Sequence, residues 1–315
     1  MDVTVLGRIG YDLYSEEPHV KLSRVRRFSR YLGGSSANMA VGLSRLGASV
    51  GIIGCLGDDS LSEFLIEFLE AEKVDTSHVH RAPGYLPSLA ITEVSPPEHF
   101  PQVFYRRDAV DTMLQVSEDD LGYLAASEMF ITNGTSLCAS PSRESTYLGL
   151  ERARAAGRRV VFDVDYRAMS WPSAAAAGQA VRLALPFVDV LIGNQLELSL
   201  VAGEENLERA TQALRERIPM LVSKLGKEGT RVWQGGDSVF LPPYAVEVAS
   251  TIGAGDGFAS GFLYALRSGK PVDECLHYGN AAAAIVVSRL SCSEAMPTLE
   301  EVETMIRNQA KRMSA

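Results

Sequence analysis

Four consecutive residues, Gly253, Ala254, Gly255 and Asp256, have the types and spacing best suited to chemistry in this chain. They lie between a strand-like run and a helix-like run, where glycine lets the backbone turn several N–H groups toward one point. The positive end of the helix dipole adds to their field, so the turn can hold an anion. An adjacent carboxylate suits a site that stabilises a transferring phosphoryl group and deprotonates the attacking hydroxyl. A purely structural tight turn, followed by a helix that begins with aspartate, fits the same residues. Other parts of the chain are therefore needed to distinguish a phosphoryl-transfer site from a structural turn.

A second group of candidate residues lies near the N-terminus. Gly33 and Gly34 allow a ligand to approach the backbone closely, and Asn38 offers both a hydrogen-bond donor and an acceptor. Asp12 follows the first predicted strand and is placed to accept hydrogen bonds from hydroxyl groups. A helix cap after a glycine turn, and an ordinary turn aspartate, are the structural alternatives for these residues.

Strands and helices alternate regularly from Met129 onward, and this alternation has to position the candidate residues. It predicts an α/β fold of three αβα layers, with a mostly parallel central sheet between two layers of helices. Ligands of such sheets bind beyond the carboxyl ends of the strands. The candidates that follow predicted strands are Asp12, Asp165, Asn194, Lys224 and the turn at 253–256, which a predicted strand at 239–248 precedes. We therefore expect one shared cleft.

Strand-like runs at 89–94 and 102–107 have no helix between them, and a third run at 20–32 alternates loosely, as an exposed strand would. Runs of this kind predict a small antiparallel β-strand lid added to the larger sheet. The lid strands are expected as insertions at about 13–32 and 87–113 in a single domain of residues 1–315.

The composition argues against several partners. The chain has 315 residues and a formal net charge of −9, so nucleic acid is not an expected partner. No run approaches the ~20 apolar residues of a membrane span, and no signal segment is recognisable, so no membrane partner is expected. Four cysteines without C-x-x-C spacing favour reduced thiols in a cytoplasmic protein.

Taken together, the motifs resemble those of the ribokinase-like (PfkB) carbohydrate kinases over nearly the whole chain. The segments that carry the resemblance are Gly33-Gly34 with Asn38, Asn194-Gln-Leu-Glu197, Ser223-Lys-Leu-Gly-Lys-Glu-Gly229, Gly253-Ala-Gly-Asp256 and Gly279-Asn-Ala-Ala-Ala283. The resemblance implies a ribokinase-like fold, ATP and Mg2+ as cofactors, and phosphorylation of the primary hydroxyl of a sugar. It also implies a homodimer through the lid strands, whose exposed edges invite pairing.

The resemblance further implies a role for each motif. Asp256 is implied as the base for the sugar hydroxyl, with the N–H groups of residues 253–255 receiving the γ-phosphoryl charge. The residues implied near ATP are Asn194, Lys224, Gly226, Gly229 and Asn280, and those near Mg2+, through water, are Glu197 and Asn194. A capped helix start at 194–197 and a solvated Lys224 are the alternatives. Potassium (K+) stays an open question, because Ser250 replaces an aspartate that the family associates with a monovalent cation.

Two further segments narrow the resemblance to kinases of sugar acids. Phe104-Tyr-Arg106 and Asp163-Val-Asp-Tyr-Arg167 are similar to segments of the kinases that act on 5-dehydro-2-deoxygluconate, and next to those that act on 2-keto-3-deoxygluconate. Arg106 and Arg167 are candidates for the substrate carboxylate, because a guanidinium group can pair with a carboxylate through two parallel hydrogen bonds. Arg107 is an alternative to Arg106, since neighbouring strand residues point to opposite faces. Solvent-facing arginines, a fructose or ribose kinase, and a sugar-binding regulatory protein are the remaining alternatives.

Overall fold

In the computed structural model, which describes residues 1–97 and 99–314, thirteen strands build two sheets. The strands are β1 (Val3–Leu6), β2 (Gly10–Ser15), β3 (Phe28–Gly33), β4 (Val50–Leu56), β5 (Val79–Arg81), β6 (Leu89–Thr92), β7 (Gln102–Tyr105), β8 (Met129–Asn133), β9 (Arg159–Asp163), β10 (Val190–Asn194), β11 (Met220–Lys224), β12 (Thr230–Gln234) and β13 (Asp237–Leu241). The helices are α1 (Ser35–Arg45), α2 (Ser60–Ala71), α3 (Glu118–Ala125), α4 (Ser142–Ala155), α5 (Ala174–Ala184), α6 (Gln195–Ala202), α7 (Leu207–Arg215), α8 (Ala254–Arg267), α9 (Val272–Val287) and α10 (Leu299–Ser314). Within these ranges, no helix is both long and apolar enough to cross a membrane.

The larger sheet has nine strands in the order β13-β12-β11-β10-β9-β8-β1-β4-β5. Neighbouring strands are parallel except where β12 pairs with β11 and with β13. The predicted α/β fold with a mostly parallel central sheet is therefore confirmed. Strand β1 lies between β4 and β8, so the order of the strands reverses there, and open sheets bind ligands at such a point.

Helices cover both faces of this sheet. The connections through α1 and α2 carry the chain from β1 toward β5, whereas those through α4 to α7 carry it from β8 toward β11. Because crossovers between parallel strands are right-handed, connections that run in opposite directions place their helices on opposite faces. Helix α8 packs on α1 and α9. The turn at 253–256 therefore lies on the same side of the sheet as the N-terminus of α1.

The core fixes the strand ends that carry the candidate site. All seven residues of β4 are buried, and the side chains of Ile52 and Ile53 are 0% exposed. Strands with few polar residues are what a parallel sheet covered on both faces requires. Burial of one such side chain contributes roughly 2–3 kcal/mol, so the central strands are held firmly in register.

The smaller sheet is the lid, and its four strands have the order β3-β2-β6-β7. Strand β2 pairs antiparallel with β3, and β6 pairs antiparallel with β7, but β2 and β6 are parallel to each other. The expectation of a wholly antiparallel lid was therefore wrong. The reason is topological, since β2 and β6 both begin where the chain leaves the carboxyl edge of the larger sheet, after β1 and after β5.

Two predictions about the first lid hairpin were also wrong. Strand β1 ends at Leu6, and Asp12 lies inside lid strand β2, opposite Tyr31, instead of following β1. The run at 20–32 forms a strand only from residue 28, after a 3-10 turn at Leu22–Arg24. The N–H group of Leu22 donates to the Glu93 carboxylate at 2.8 Å. A side-chain acceptor thus replaces a strand partner there.

Two element boundaries next to the candidate site differ from those that the sequence predicted. The strand expected at 239–248 ends at Leu241, because Pro242 and Pro243 follow and proline has no N–H group for a strand pair. The sequence predicts a helix from Met39 to Leu46, whereas α1 begins four residues earlier at Ser35, directly after Gly34. Asn38 therefore lies in the first turn of α1 and not ahead of it. A Cβ at Gly34 would lie 2.4 Å from a backbone oxygen, so the close approach at this turn requires glycine.

Candidate active site

Helix α8 begins at a turn that is built to leave its N–H groups open. Gly253 precedes the helix with a φ of 82°, and a Cβ there would lie 3.0 Å from the Cα of Cys292. Glycine is therefore required by both conformation and space. Among the described residues, no side chain caps this helix. The N–H groups of Ala254 and Gly255 thus remain available to an anion, and the helix dipole favours negative charge there.

Asp256 lies in the first turn of α8, where two neutral donors from α1 hold its carboxylate. Ser35 Oγ donates to Oδ1 at 2.8 Å, and Asn38 Nδ2 donates to Oδ2 at 2.7 Å. Burial raises the pKa of Asp256 and the charge of Asp165 raises it further, while the two hydrogen bonds and Arg167 oppose the rise. A carboxylate with a raised pKa and neutral partners is suited to accept a proton.

Asp12 faces the same region from the lid. A Cβ at Gly33 would lie 2.0 Å from Asp12 Oδ1, so the strand beside Asp12 has space only for glycine. Burial raises the pKa of Asp12 to about 6, although Arg8 opposes that rise. Within the described part of the chain, Oδ1 of Asp12 and Oδ1 of Asn38 are buried without a hydrogen-bond partner. Unpartnered buried acceptors cost free energy, so this pair fits a ligand that donates hydrogen bonds from hydroxyl groups.

Lys224, the last residue of β11, lies in the cleft with its side chain 20% exposed. Its Nζ lies 3.0 and 3.2 Å from the two carboxylate oxygens of Asp163, the last residue of β9. A Cβ at Gly255 would lie 3.4 Å from this ammonium group. Burial works against its charge, but the carboxylates of Asp163 and Glu197 outweigh burial and raise the pKa of Lys224. Lys224 is therefore a fixed positive charge beside the first turn of α8, and not the solvated surface lysine that we considered.

Asn194 and Glu197 form a capping box at the start of α6. Asn194 Oδ1 accepts the N–H of Glu197 at 3.0 Å, and Glu197 Oε2 accepts the N–H of Asn194 at 2.7 Å. Glu197 Oε1 accepts the N–H of Tyr166 at 2.9 Å. The capped helix start is therefore present, and it fixes a buried carboxylate near Lys224.

The structure contains no ready-made protein cage for a metal ion within residues 1–97 and 99–314. No group of three or more His, Cys, Asp or Glu side chains there could hold such an ion. Mg2+ keeps much of its hydration and binds through few carboxylates together with substrate phosphates. The oxygens of Glu197 and Asn194 already accept backbone N–H groups, and this arrangement is compatible with a water-mediated site.

The three other residues predicted near ATP lie on two elements, the turn after β11 and helix α9. A 3-10 turn at Gly226–Glu228 follows β11, and the N–H of Leu225 donates to the Gly229 oxygen at 2.8 Å. A Cβ at Gly229 would lie 2.3 Å from the Leu241 oxygen. Asn280 Nδ2 donates to the Pro242 oxygen at 2.7 Å. Gly229 and Asn280 thus flank the same stretch of chain, where β13 ends.

The two candidate arginines differ in how far their hydrogen bonds are already satisfied. Arg106 is 8% exposed, and its Nε and Nη2 donate to Asp111 Oδ2 at 3.0 and 2.6 Å. It also donates to Ser170 Oγ at 3.1 Å and to a backbone oxygen at 2.9 Å. Arg167 is 49% exposed and lies 3.0 Å from Asp165. Arg106 and Arg107 both follow the end of β7, and Arg107 is exposed in the turn there, so Arg106 is the lid arginine that points inward.

Sequence reasoning missed three partners of the predicted residues. Ser35 holds Asp256, Asp163 holds Lys224, and Asp111 holds Arg106. Only the first had a usable signal, because residues three apart lie on the same face of a helix and Ser35 precedes Asn38 by three. The pair of Lys224 and Asp163 joins two strands whose proximity the sequence does not give, and the pair of Arg106 and Asp111 depends on the turn between them.

Comparisons with known proteins show the family of the chain. Residues 1–299 match the family described as pfkB family carbohydrate kinase. A 5-dehydro-2-deoxygluconokinase of Bacillus licheniformis is 37% identical over 314 residues, which cover 98% of this chain and 97% of that protein. A 5-dehydro-2-deoxygluconokinase of Geobacillus kaustophilus is 34% identical over 313 residues, or 97% of this chain and 93% of that protein. The crystal structure of a Xylella fastidiosa fructokinase with bound ATP superimposes with a TM-score of 0.84 and 25% identity over 98% of this chain and 99% of that one.

Proposed function

The chain belongs to the pfkB family of carbohydrate kinases, and we propose that it transfers the γ-phosphoryl group of ATP to the terminal primary hydroxyl of 5-dehydro-2-deoxy-D-gluconate. The substrate is proposed from the relatives named for that sugar acid, which align over nearly their full length. The observation that carries the reaction is the Asp256 carboxylate beside the uncapped first turn of α8.

In the proposed reaction, Asp256 accepts the proton of the primary hydroxyl as the hydroxyl oxygen bonds to the γ-phosphorus. The bond from that phosphorus to the bridging oxygen breaks, and ADP leaves with the electron pair. The N–H groups of Gly253, Ala254 and Gly255 and the ammonium group of Lys224 stabilise the charge on the transferring group. Chemistry of this kind requires positioning and electrostatic stabilisation and no covalent enzyme intermediate.

Substrate recognition is assigned to both sides of the cleft. Asp12 and Asn38 accept hydrogen bonds from sugar hydroxyls, and the glycines at 33 and 34 let the sugar approach the backbone. Arg167, together with the inward-facing Arg106, attracts the carboxylate of the sugar acid. Because Arg106 already has four hydrogen bonds and Arg167 is half-exposed, Arg167 carries the larger share.

The nucleotide is assigned to the surface around Gly226, Gly229 and Asn280. When bound, Mg2+ neutralises part of the phosphate charge. Glu197 and Asn194 would hold it through water, because their oxygens are oriented by the capping box of α6. Ser250 has a neutral hydroxyl that accepts the N–H of Ile252 at 3.2 Å, and no role for K+ is assigned to it.

The proposal includes a homodimer that forms through the lid, in the cytoplasm where ATP is available. The outer lid strands β3 and β7 have open edges, and on β7 the side chains of Val103 and Tyr105 are 44% and 62% exposed. Exposed apolar edge strands pair readily with a second chain. Sedimentation equilibrium at assay concentration tests this arrangement, and the mass of a single chain would exclude it.

Coupled release of ADP with a panel of acceptors tests the proposed function. The panel contains 5-dehydro-2-deoxygluconate, 2-keto-3-deoxygluconate, fructose and ribose, each over a range of concentrations. The first compound should have the highest kcat/KM. Turnover of neutral sugars alone would reject a sugar-acid kinase, a preference for the second acid would move the assignment to that substrate, and no turnover of any acceptor would favour a sugar-binding regulatory protein.

A further inference from the structure

Ser35 is a buried side chain of the cleft whose role neither the motifs nor the proposed reaction assigns. Its side chain is 4% exposed, and it is the first residue of α1, directly after the glycine turn at 33–34. In the described part of the chain, its hydroxyl makes one hydrogen bond, the 2.8 Å bond to Asp256 Oδ1. A buried hydroxyl that serves one carboxylate oxygen of the base is placed to control that base.

The distance between Ser35 and Asp256 is set by two packed helices. Ser35, Asn38 and Gly42 lie on one face of α1, at spacings of three and four residues. This face meets α8, where a Cβ at Gly42 would lie 2.4 Å from Ser260 Oγ, so the helices approach closely. Ser260 Oγ donates to the backbone oxygen of Asp256 at 2.8 Å. Rigid elements therefore hold the donor and the base in register.

We propose that Ser35 is a positioning residue for the reaction assigned above: its hydroxyl fixes Oδ1 of Asp256 while Asn38 fixes Oδ2, so that the carboxylate faces the acceptor hydroxyl in its proton-accepting form. This inference rests on the proposed kinase function. Each carboxylate oxygen has a second lone pair, so both oxygens can keep these donors and still receive the hydroxyl of the substrate.

The charges around Asp256 show why a neutral donor matters there. Two further carboxylates, those of Asp12 and Asp165, oppose its ionisation together with burial, whereas Arg167 favours it. The charged and titratable groups that act on Asp256 are Asp12 and Tyr14 on β2, Asp165 and Arg167 after β9, Lys224 at the end of β11, and Cys292 beside Gly253. Hydrogen bonds from Ser35 and Asn38 lower the pKa of Asp256. Removal of one of them should raise it.

The experiment compares pH profiles of kcat/KM for variants of two neighbouring serines. Ser35→Ala should lower kcat about tenfold at neutral pH with little change in either KM. The acid limb, which is the fall of kcat/KM at low pH, should move to higher pH by about one unit. A shift of this size is expected for the loss of one hydrogen bond to a charged group. Ser35→Thr keeps the hydroxyl and should return the limb toward wild type. Ser35→Cys keeps the shape with a weaker donor and should give an intermediate limb.

Ser36→Ala is the matched control, because Ser36 lies in the same turn but bonds elsewhere. Its hydroxyl accepts from Asn133 Nδ2 at 2.9 Å and donates to the Leu6 oxygen at 3.4 Å. This variant should lower Tm without moving the acid limb. An unmoved limb in both Ser35→Ala and Ser35→Cys would overturn the inference while leaving the kinase function intact. A wild-type protein inactive with every acceptor would instead reject the proposed function.

Discussion

Two buried aspartates in the cleft have different kinds of partner. Asp256 is held by the neutral hydroxyl of Ser35 and the neutral amide of Asn38, whereas Asp163 is held by the ammonium group of Lys224. Burial raises the pKa of both carboxyl groups. Of the two, Asp163 is the one with a full positive charge at hydrogen-bond distance in the described structure.

This difference separates two tasks that the same side chain can perform. Neutral donors orient a carboxylate and leave it able to take a proton, whereas a cation in contact satisfies its charge and is itself held in place. The contact of α1 with α8 therefore leaves a carboxylate that suits the proposed role of base. The ends of β9 and β11, which lie on either side of β10, instead hold a cation. Substitutions at Asp256, Asp163 and Lys224 test whether each side is confined to its task.

The largest effect is expected for Asp256→Asn. Asparagine keeps the size and one of the two carboxylate oxygens but has almost no affinity for a proton, so kcat should fall by about 10³- to 10⁴-fold. Binding of ATP and sugar should change little, because neither uses the basicity of this group. Steady-state kinetics and calorimetric titration measure the two properties separately.

Asp163→Asn is the matched control for that variant, since it makes the same change on the other side of the cleft. Its kcat should fall less than that of Asp256→Asn, because Lys224 loses its partner while the base remains. Turnover of Asp256→Asn within tenfold of wild type, or a larger loss in Asp163→Asn, would break the division between base and cation holder.

Lys224→Met should have the next largest effect, about 100-fold in kcat, the size expected for losing one electrostatic contact to a transferring group. The variant should also have a pH-dependent stability. Burial already raises the pKa of Asp163 to about 7, and loss of the ammonium group raises it further. When the pKa of an acidic group is higher in the folded state than in the unfolded state, the protein loses stability as the pH rises from the unfolded-state pKa through the folded-state pKa. The Tm of Lys224→Met should therefore lie further below the Tm of the wild type at pH 9 than at pH 6.

The double variant Asp163→Asn with Lys224→Met sharpens this result. It removes the carboxylate that Lys224→Met leaves buried, so the extra loss of Tm at high pH should disappear. The kcat should not recover, because the positive charge beside Gly255 is still missing. Recovery of kcat would show that Lys224 only stabilises the fold. If the Tm deficit of the double variant still grew with pH, the pH dependence would belong to a group other than Asp163.

The parts of the site that could be predicted from the sequence are those made within one element. The turn at 253–256, the glycines at 33–34 and the strand ends at Asn194 and Lys224 depend on local spacing, and the structure brings them to one edge of the sheet. The pairing of Ser35 with Asp256 spans 221 residues, and that of Lys224 with Asp163 spans 61. These pairs depend on which helices and strands pack together, which local spacing does not determine.

The errors in the lid and before α8 have local physical causes. The alternation of residues at 239–248 favoured a strand, but Pro242 and Pro243 cannot donate to a strand pair, so β13 ends before them. Asp12 was expected after β1, because a short apolar strand gives no sign that the chain turns at Gly7 and starts a strand of another sheet. For the run at 239–248, the two prolines were a stronger signal than the alternation of residues.

The smallest effect is expected for Arg167→Ala, which tests whether the cation-holding side also selects the substrate. Arg167 is half-exposed and paired with Asp165 at 3.0 Å, so water screens part of its charge. The variant should raise KM for the sugar acid about tenfold and leave KM for ATP unchanged. Arg107→Ala removes an exposed arginine from the lid and should change neither constant. Equal increases for both substrates in Arg167→Ala would remove Arg167 from the carboxylate role, and the cation-holding side would then serve the phosphoryl group alone.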